Sequence, residues 1–209
     1  MRPKDAACLI IVDRSNSSPR VLMGQRSSQH VFMPDVYVFP GGRRDPSDYA
    51  LPFGDDLNPV VLKKLRQSAS RPITNTRARA LALAAVRELR EETGLTFGTE
   101  GHQRPDLAAL RYVARAITPP GRVRRFDTRF FFCFADEVGI DPVAVKDSEE
   151  LQNLQWLDIR DYSGVNMAAI TRMVLEDVTN FMIGDQPIKF ESPVRLYFER
   201  RGTFIRGFL

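Results

Sequence analysis

Cysteine, histidine and lysine are scarce in this chain of 209 residues. Its two cysteines, Cys8 and Cys133, each fall in an apolar run of β-type composition. Two thiols in separate strands fit a reducing compartment better than a disulfide framework. Two histidines, His30 and His102, are too few and too isolated for a histidine metal site. The five lysines (Lys4, Lys63, Lys64, Lys146, Lys189) leave the positive side of a net charge of +4 almost wholly to arginine. Arginine grips phosphate bidentately better than lysine does, although a compositional bias of the genome explains the imbalance more simply. Zinc-finger spacing, long basic runs and nucleic-acid modules are all missing, so a sequence pI near 9.3 does not by itself imply a nucleic-acid partner. The apolar run Ala6–Val12 is too short to span a membrane, and no small-residue cleavage site follows it. The terminal Arg-Gly-Phe-Leu is not an address of the Ser-Lys-Leu type, so cytoplasm is the expected location and no membrane partner is expected. The length suits one domain with an insertion.

Carboxylate, by contrast, is concentrated in one place. Residues 87–95 read Arg-Glu-Leu-Arg-Glu-Glu-Thr-Gly-Leu. The run Arg77 to Thr93 is rich in helix formers and free of Gly and Pro until Gly94, which suits a C-cap. On a helix Glu88, Glu91 and Glu92 share one face with Leu81, Ala84, Ala85 and Leu95. They extend a stripe that begins apolar, which places them at the edge of the protein body. Like charges at this spacing repel by a few tenths of a kcal/mol per pair, roughly, so the cluster calls for a cation. Mg²⁺ and similar hard ions take oxygen ligands of this kind and share them with substrate phosphates. Arg87, one turn before Glu91, can pair with it and fix its orientation. Ordinary ion pairing on a surface helix is the plain alternative for this motif taken alone.

Upstream, the β-type run Val36-Tyr37-Val38-Phe39 leads into Pro40-Gly41-Gly42, a tight-turn signal whose backbone can approach a ligand closely. Together the two stretches resemble the signature of the Nudix hydrolases, G-x5-E-x7-R-E-U-x-E-E-x-G-U, with U a bulky aliphatic residue. Its second half is intact at Arg87, Glu88, Leu89, Glu91, Glu92, Gly94 and Leu95, and its first half is represented by Phe39-Pro40-Gly41-Gly42. The signature puts 13 residues between its Gly and its Arg; here residues 43–86 intervene, which is 44, so 31 are extra. The first Glu of the signature is missing. Counting six on from Gly42 gives Asp48, a partial substitute, and counting eight back from Arg87 gives Arg79. An interrupted signature of this kind resembles the peroxisomal-type coenzyme A diphosphatases and their bacterial relatives. So do residues 36–48 and the stretch 117–132, with Ile-Thr-Pro-Pro followed by Arg-Phe-Asp-Thr-Arg-Phe-Phe-Phe.

The resemblance implies a Nudix-type α/β/α sandwich with a mixed central sheet, and an insertion between the glycines and the catalytic helix. It implies hydrolysis of a nucleoside diphosphate linked to another moiety, with coenzyme A or acyl-coenzyme A as the branch's substrate, and Mg²⁺ or Mn²⁺ as cofactor. By position, Glu88, Glu91 and Glu92 match the metal-binding and base glutamates, and the Gly42 carbonyl matches a backbone ligand. The base role stays undivided between Glu88 and Glu91; Glu149 and Glu150 are candidates for an acid outside the signature. Arg26, Arg125 and Arg129, with the Gly41 turn, are candidates to hold phosphate. If residues 125–129 are extended, Arg125, Asp127 and Arg129 share a face. Arg43 and Arg44 could meet a 3′-phosphate, although a surface loop explains them as well. Phe130, Phe131, Phe132 and Phe134 read as core. The main alternative is a non-catalytic module that binds a nucleotide metabolite on the same fold. A homodimer stays open.

The rest of the pattern gives a single domain over 1–209. Strands are expected at 6–13, 20–26, 36–39, 110–118, 126–135 and 154–157. The insertion 43–75 should hold a short helix over 59–68. Asn75 or Thr76 should cap the catalytic helix. Residues 97–107 read as a polar loop. Asp158 or Asp161 can open a second long helix with Met167, Ile170, Val174, Val178 and Phe181 on its apolar side, and a hairpin over 194–208 completes a C-terminal unit from about 165 to 209.

Overall fold

The computed structural model describes residues 2–28, 34–67, 72–98, 104–182 and 188–209. His30, His102 and the expected helix end at Ser68 lie outside them, as does part of the loop 97–107.

The apolar run near the N-terminus forms β1 (Lys4–Asp13), the axis of a nine-stranded mixed sheet. β1 runs antiparallel to β2 (Arg20–Arg26) near its end, where Val12 faces Val21. Along its other edge it is parallel to β6 (Phe126–Phe134), in register from Lys4↔Phe126 to Val12↔Phe134. Beyond β2 lie the two-residue β3 (Tyr37–Val38) and β7 (Leu151–Asp158). Beyond β6 come β5 (Arg111–Ile117), β8 (Arg195–Arg200) and β9 (Thr203–Phe208), so the hairpin expected at 194–208 closes one edge.

Strand alternation sorts β1 into two faces. Leu9 and Ile11 join Phe131 and Cys133 beneath α1 (Pro59–Gln67) and α2 (Asn75–Thr93). Ile10 and Val12 join Phe130, Phe132 and Phe134 beneath α3 (Ala169–Phe181). Those four phenylalanines are core, as expected, and the layers are α/β/α. Both thiols are free. Among the described residues no helix is long and apolar enough to cross a membrane.

Several boundaries differ from expectation for local reasons. The Gly41-Gly42 segment is a short strand, β4 (Gly41–Arg43), laid antiparallel on β1 with Cys8↔Gly41 and Ala7↔Gly42. The cap of α2 is Thr74, whose hydroxyl accepts the Arg77 N–H at 3.1 Å, so Asn75 and Thr76 are inside the helix. Asp158 and Asp161 spend their carboxylates on the N–H groups of Arg160 and Ser163 in local turns, and α3 starts only at Ala169, without a side-chain cap.

Candidate active site

The site grows out of where α2 ends. Gly94 adopts φ 72° and its N–H returns to the Arg90 carbonyl, closing the helix as the sequence predicts. The last turns carry the three acids, and burial separates them sharply. Glu92 is 8% exposed, Glu88 keeps 13% of its side chain in solvent, and Glu91 keeps 57%. Glu91 is thus the outer member.

β4 brings the glycines to this helix end. The Gly41 N–H donates to Oε2 of Glu92 at 2.8 Å. Gly41 has φ 155°, and a Cβ there would meet the Ala7 carbonyl at 2.5 Å and Cys8 Cα at 2.6 Å. At Gly42 a Cβ would lie 2.7 Å from Oε2 of Glu88, and closer still to its Oε1 and Cδ. Glycine at 42 therefore leaves room for the Glu88 carboxylate itself.

Arg87 ties the parts together. Its Nη1 donates to Glu88 at 2.9 Å and Glu91 at 2.8 Å, and its Nη2 to the Arg43 carbonyl at 3.1 Å. Nε donates to Oδ1 of Asp48 at 2.8 Å and Nη2 to Oδ2 at 3.3 Å. Asp48 is fully buried in a 3-10 turn over Pro46–Tyr49, and it also accepts the Asp45 N–H at 2.6 Å. The residue six places after Gly42 therefore carries a carboxylate that anchors Arg87, from inside the insertion. The other residue reached by counting, Arg79, pairs with Asp56 at 2.7 Å and takes no part.

The electrostatics follow from burial. Burial pushes the Glu92 carboxyl up to about 8, against the Gly41 hydrogen bond, and Glu88, Arg26 and Glu150 act on it more weakly. Burial also raises Glu88, with Arg87 opposing and Glu91 and Glu150 adding to the rise. The hydrogen bond to Asp48 is the first of several contacts that hold Arg87 protonated. Cys8, beside Gly41, is pushed up to about 12 by burial and is not a nucleophile at neutral pH.

Of the other candidates, Arg26 and Glu150 exert charge effects on Glu92. Glu149 is exposed and has no such link. Arg125 is turned toward its own hairpin, its Nε donating to the Thr118 carbonyl at 3.1 Å. Arg129 is a correction. Its side chain is 2% exposed and bound to Asp5 at 3.1 Å and the Asp127 carbonyl at 2.7 Å, so it is spent on buried partners rather than offered to a diphosphate at the glutamates. Asp127 and Arg129 lie on β6, whereas Arg125 falls just before it, and Asp127 serves as counter-ion to Arg129 and Arg115. Asp5 went unremarked in the sequence; its signal was a lone acid at the head of an apolar strand.

The donor set of Glu88, Glu91, Glu92 and the Gly42 carbonyl consists of hard oxygens, which fits Mg²⁺ or Mn²⁺. The Glu88 carboxylate packs directly against Gly42, in the place that any Cβ would take. Among the described residues no three acidic, histidine or cysteine side chains already enclose a metal position, because Arg87 holds Glu91 and Glu88 while Gly41 holds Glu92.

Comparison with known proteins agrees with this arrangement. Residues 78–177 match the NUDIX domain family, a match that takes in the acidic end of α2. A Caenorhabditis elegans protein named nudix hydrolase 7 is 25% identical, over 76% of this chain and 52% of that protein, so the chain spans about half the length of this curated relative. A NUDIX hydrolase from Alicyclobacillus acidocaldarius superposes with TM-score 0.61 at 25% identity, covering 84% of this chain and 90% of that one. The NUDIX domain of Shewanella oneidensis NrtR, solved with ADP ribose, superposes with TM-score 0.54 at 12% identity, over 87% and 90% of the two chains. The fold is the Nudix fold.

Proposed function

We propose that the chain is a metal-dependent pyrophosphohydrolase that cleaves the diphosphate of a nucleoside diphosphate linked to another group. The observation that carries this reading is the acidic end of α2 set against Gly41 and Gly42, with Glu88 packed in the space that Gly42 leaves. Glu88, Glu91, Glu92 and the Gly42 carbonyl would hold Mg²⁺ or Mn²⁺. When bound, the ion would neutralise diphosphate charge and lower the pKa of the attacking water. Arg87 orients Glu88 and Glu91 by a fork that Asp48 and the Arg43 carbonyl steady from behind. Glu91, the solvent-facing acid, and Glu88 share the candidacy to accept a proton from water, and Glu150, whose charge acts on Glu88, is the candidate for an additional acid. Arg26, whose charge acts on Glu92, Arg125 and the Gly41 turn stay candidates to hold phosphate.

For the substrate, the interrupted signature and the stretches 36–48 and 117–132 favour coenzyme A and its thioesters, cut to 3′,5′-ADP and the (acyl)phosphopantetheine. The alternative of a catalytically silent nucleotide-metabolite sensor drew on the missing first Glu of the signature. Asp48, bonded to Arg87, supplies a carboxylate from the altered first half and so speaks for the hydrolase.

The test is product analysis with Mg²⁺ or Mn²⁺ and a panel of coenzyme A, acyl-coenzyme A, ADP-ribose, NADH, dinucleoside polyphosphates and nucleoside triphosphates. Turnover is expected for the wild type and a loss of at least 10³-fold for Glu91→Gln combined with Glu92→Gln, at an order of magnitude set by removed charge stabilisation. Full activity in the double variant would discard the site. Thermal stabilisation by a panel member without any product would favour the sensor.

A further inference from the structure

Beside the acids, on the same face of the sheet, lies a second charged group that the hydrolytic reading does not use. Asp5, with 8% of its side chain exposed, is approached by three guanidiniums: Arg77 at 2.6 Å, Arg129 at 3.1 Å and Arg44 at 3.4 Å. Asp127 serves Arg115 at 2.7 Å and Arg129 again at 3.2 Å. Two carboxylates thus answer four arginines. Burial tends to raise the Asp5 carboxyl, but Arg129, Arg77 and Arg44 together hold it below the usual range.

Two further observations bear on this imbalance. The buried Nε of Arg129 has no hydrogen-bond partner, and a buried donor left unpaired is costly. Arg77 stands in the first turn of α2, at the positive end of the helix, and that turn contains no acid. A cation there is the unfavourable choice unless an anion lies close by.

Among the four arginines, exposure is uneven. Arg129 and Arg115 form a buried floor, whereas Arg77 keeps 44% of its side chain in solvent and Arg44 keeps 19%. Arg44 stacks on Tyr49 with its guanidinium carbon 4.7 Å from the ring centre, which fixes its direction. Its N–H continues the β4 pairing onto the Asp5 carbonyl at 3.0 Å, two residues and roughly 7 Å along an extended backbone from Gly42.

We infer that Arg44 and Arg77, held over the Asp5–Arg129 floor, form a binding site for a phosphate-class oxyanion, separate from the glutamate cluster. The anion is either a second phosphoryl group on the same ligand that places its diphosphate at the glutamates, or free phosphate. The first source rests on the hydrolase reading; the site itself does not.

The experiment measures inorganic phosphate binding to the whole chain at fixed ionic strength in EDTA, by titration calorimetry and by the shift in Tm. EDTA removes any binding through metal on the glutamates, and turnover plays no part. Wild type is expected to bind, Arg77→Gln to bind about tenfold or more weakly, and Arg77→Lys to fall between. Arg44→Gln should repeat the loss, and it serves alone if Arg77→Gln does not fold. Arg14→Gln, which breaks a surface pair with Asp136, should leave binding unchanged. No binding by wild type, or equal binding by wild type and both Gln variants, would overturn the inference. Adenosine 3′,5′-bisphosphate and adenosine 5′-monophosphate then identify the source. Tighter binding of the bisphosphate that Arg77→Gln abolishes assigns the site to a ligand's second phosphoryl group. Equal binding of the two nucleotides, with inorganic phosphate still bound, assigns it to free phosphate. If the panel shows no turnover while phosphate still binds, only the hydrolase reading fails.

Discussion

Substituting one adjacent glycine and then the other should separate function from stability. Gly42→Ala places a methyl against the Glu88 carboxylate, whose oxygens are the far end of a flexible side chain. Gly42 is not among the glycines with positive φ, so alanine suits its backbone. To reach ordinary contact of about 3.5 Å the carboxylate must retreat by roughly 1 Å. A displacement of that size at a catalytic group costs about 10²-fold in rate, near 3 kcal/mol of barrier. Rotation of a partly exposed side chain costs the fold far less, within about 1 kcal/mol. Gly41→Ala differs in kind: its methyl would strike the Ala7 carbonyl and Cys8 Cα, which are backbone of the central strand, at a φ of 155°. That variant should lose several kcal/mol, on the order of 3 or more. The assay pairs steady-state turnover with urea unfolding for both variants. Gly42→Ala should unfold like wild type and turn over about 10²-fold more slowly; Gly41→Ala should be clearly destabilised. Wild-type turnover in Gly42→Ala, or equal destabilisation of both variants, would refute the assignment of Gly42 as the space reserved for Glu88.

Two other outcomes are expected. Asp48→Asn keeps the shape of a fully buried side chain but removes the charge facing Arg87; it should cost about 2 kcal/mol, lowering Tm by roughly 4–8 °C for a chain of this size, and slow turnover as Arg87 settles onto Glu88 and Glu91. A thermal melt beside an activity assay checks both, and unchanged values in each would remove Asp48 from the site. Acid should destabilise the fold through Asp5, Asp13 and Asp56, whose carboxyls are held below their ordinary values by arginine and backbone partners. Groups with a depressed folded pKa contribute stability above their unfolded pKa near 4 and lose it as pH falls through the folded values. Urea midpoints should therefore fall between about pH 4 and pH 2, and a flat profile would contradict these pairings.

The sheet and the acidic helix were legible because their signals are local. Alternation in β1 and β6, and helix formers running unbroken from Arg77 to Gly94, fix element type without reference to neighbours. Boundaries failed where side chains chose among nearby backbone partners. Thr74, Asn75 and Thr76 are all plausible caps, and only the approach angle of the chain selects Thr74. Asp158 and Asp161 have the chemistry of helix caps but close turns instead. Within the site, Glu88, Glu91, Glu92 and Arg87 could be read from spacing on one helix. Which arginines face the site could not, because that depends on partners distant in sequence. Arg129 meets Asp5 from 124 residues away, and no local pattern distinguishes it from Arg26.

The two halves of the site meet through strand pairing, β4 on β1, rather than through nearness along the chain. Distance along the chain is then nearly free. Stretching the connection from 13 residues to the 44 found here adds only about 1 kcal/mol of loop-closure entropy. The root of that connection, from Gly41 to the turn bearing Asp48, is tied to the acidic helix end through Arg87. The rest can lengthen, shorten or acquire a helix such as α1 without moving a catalytic atom, which makes it the natural place for this scaffold to change what it recognises while keeping what it does.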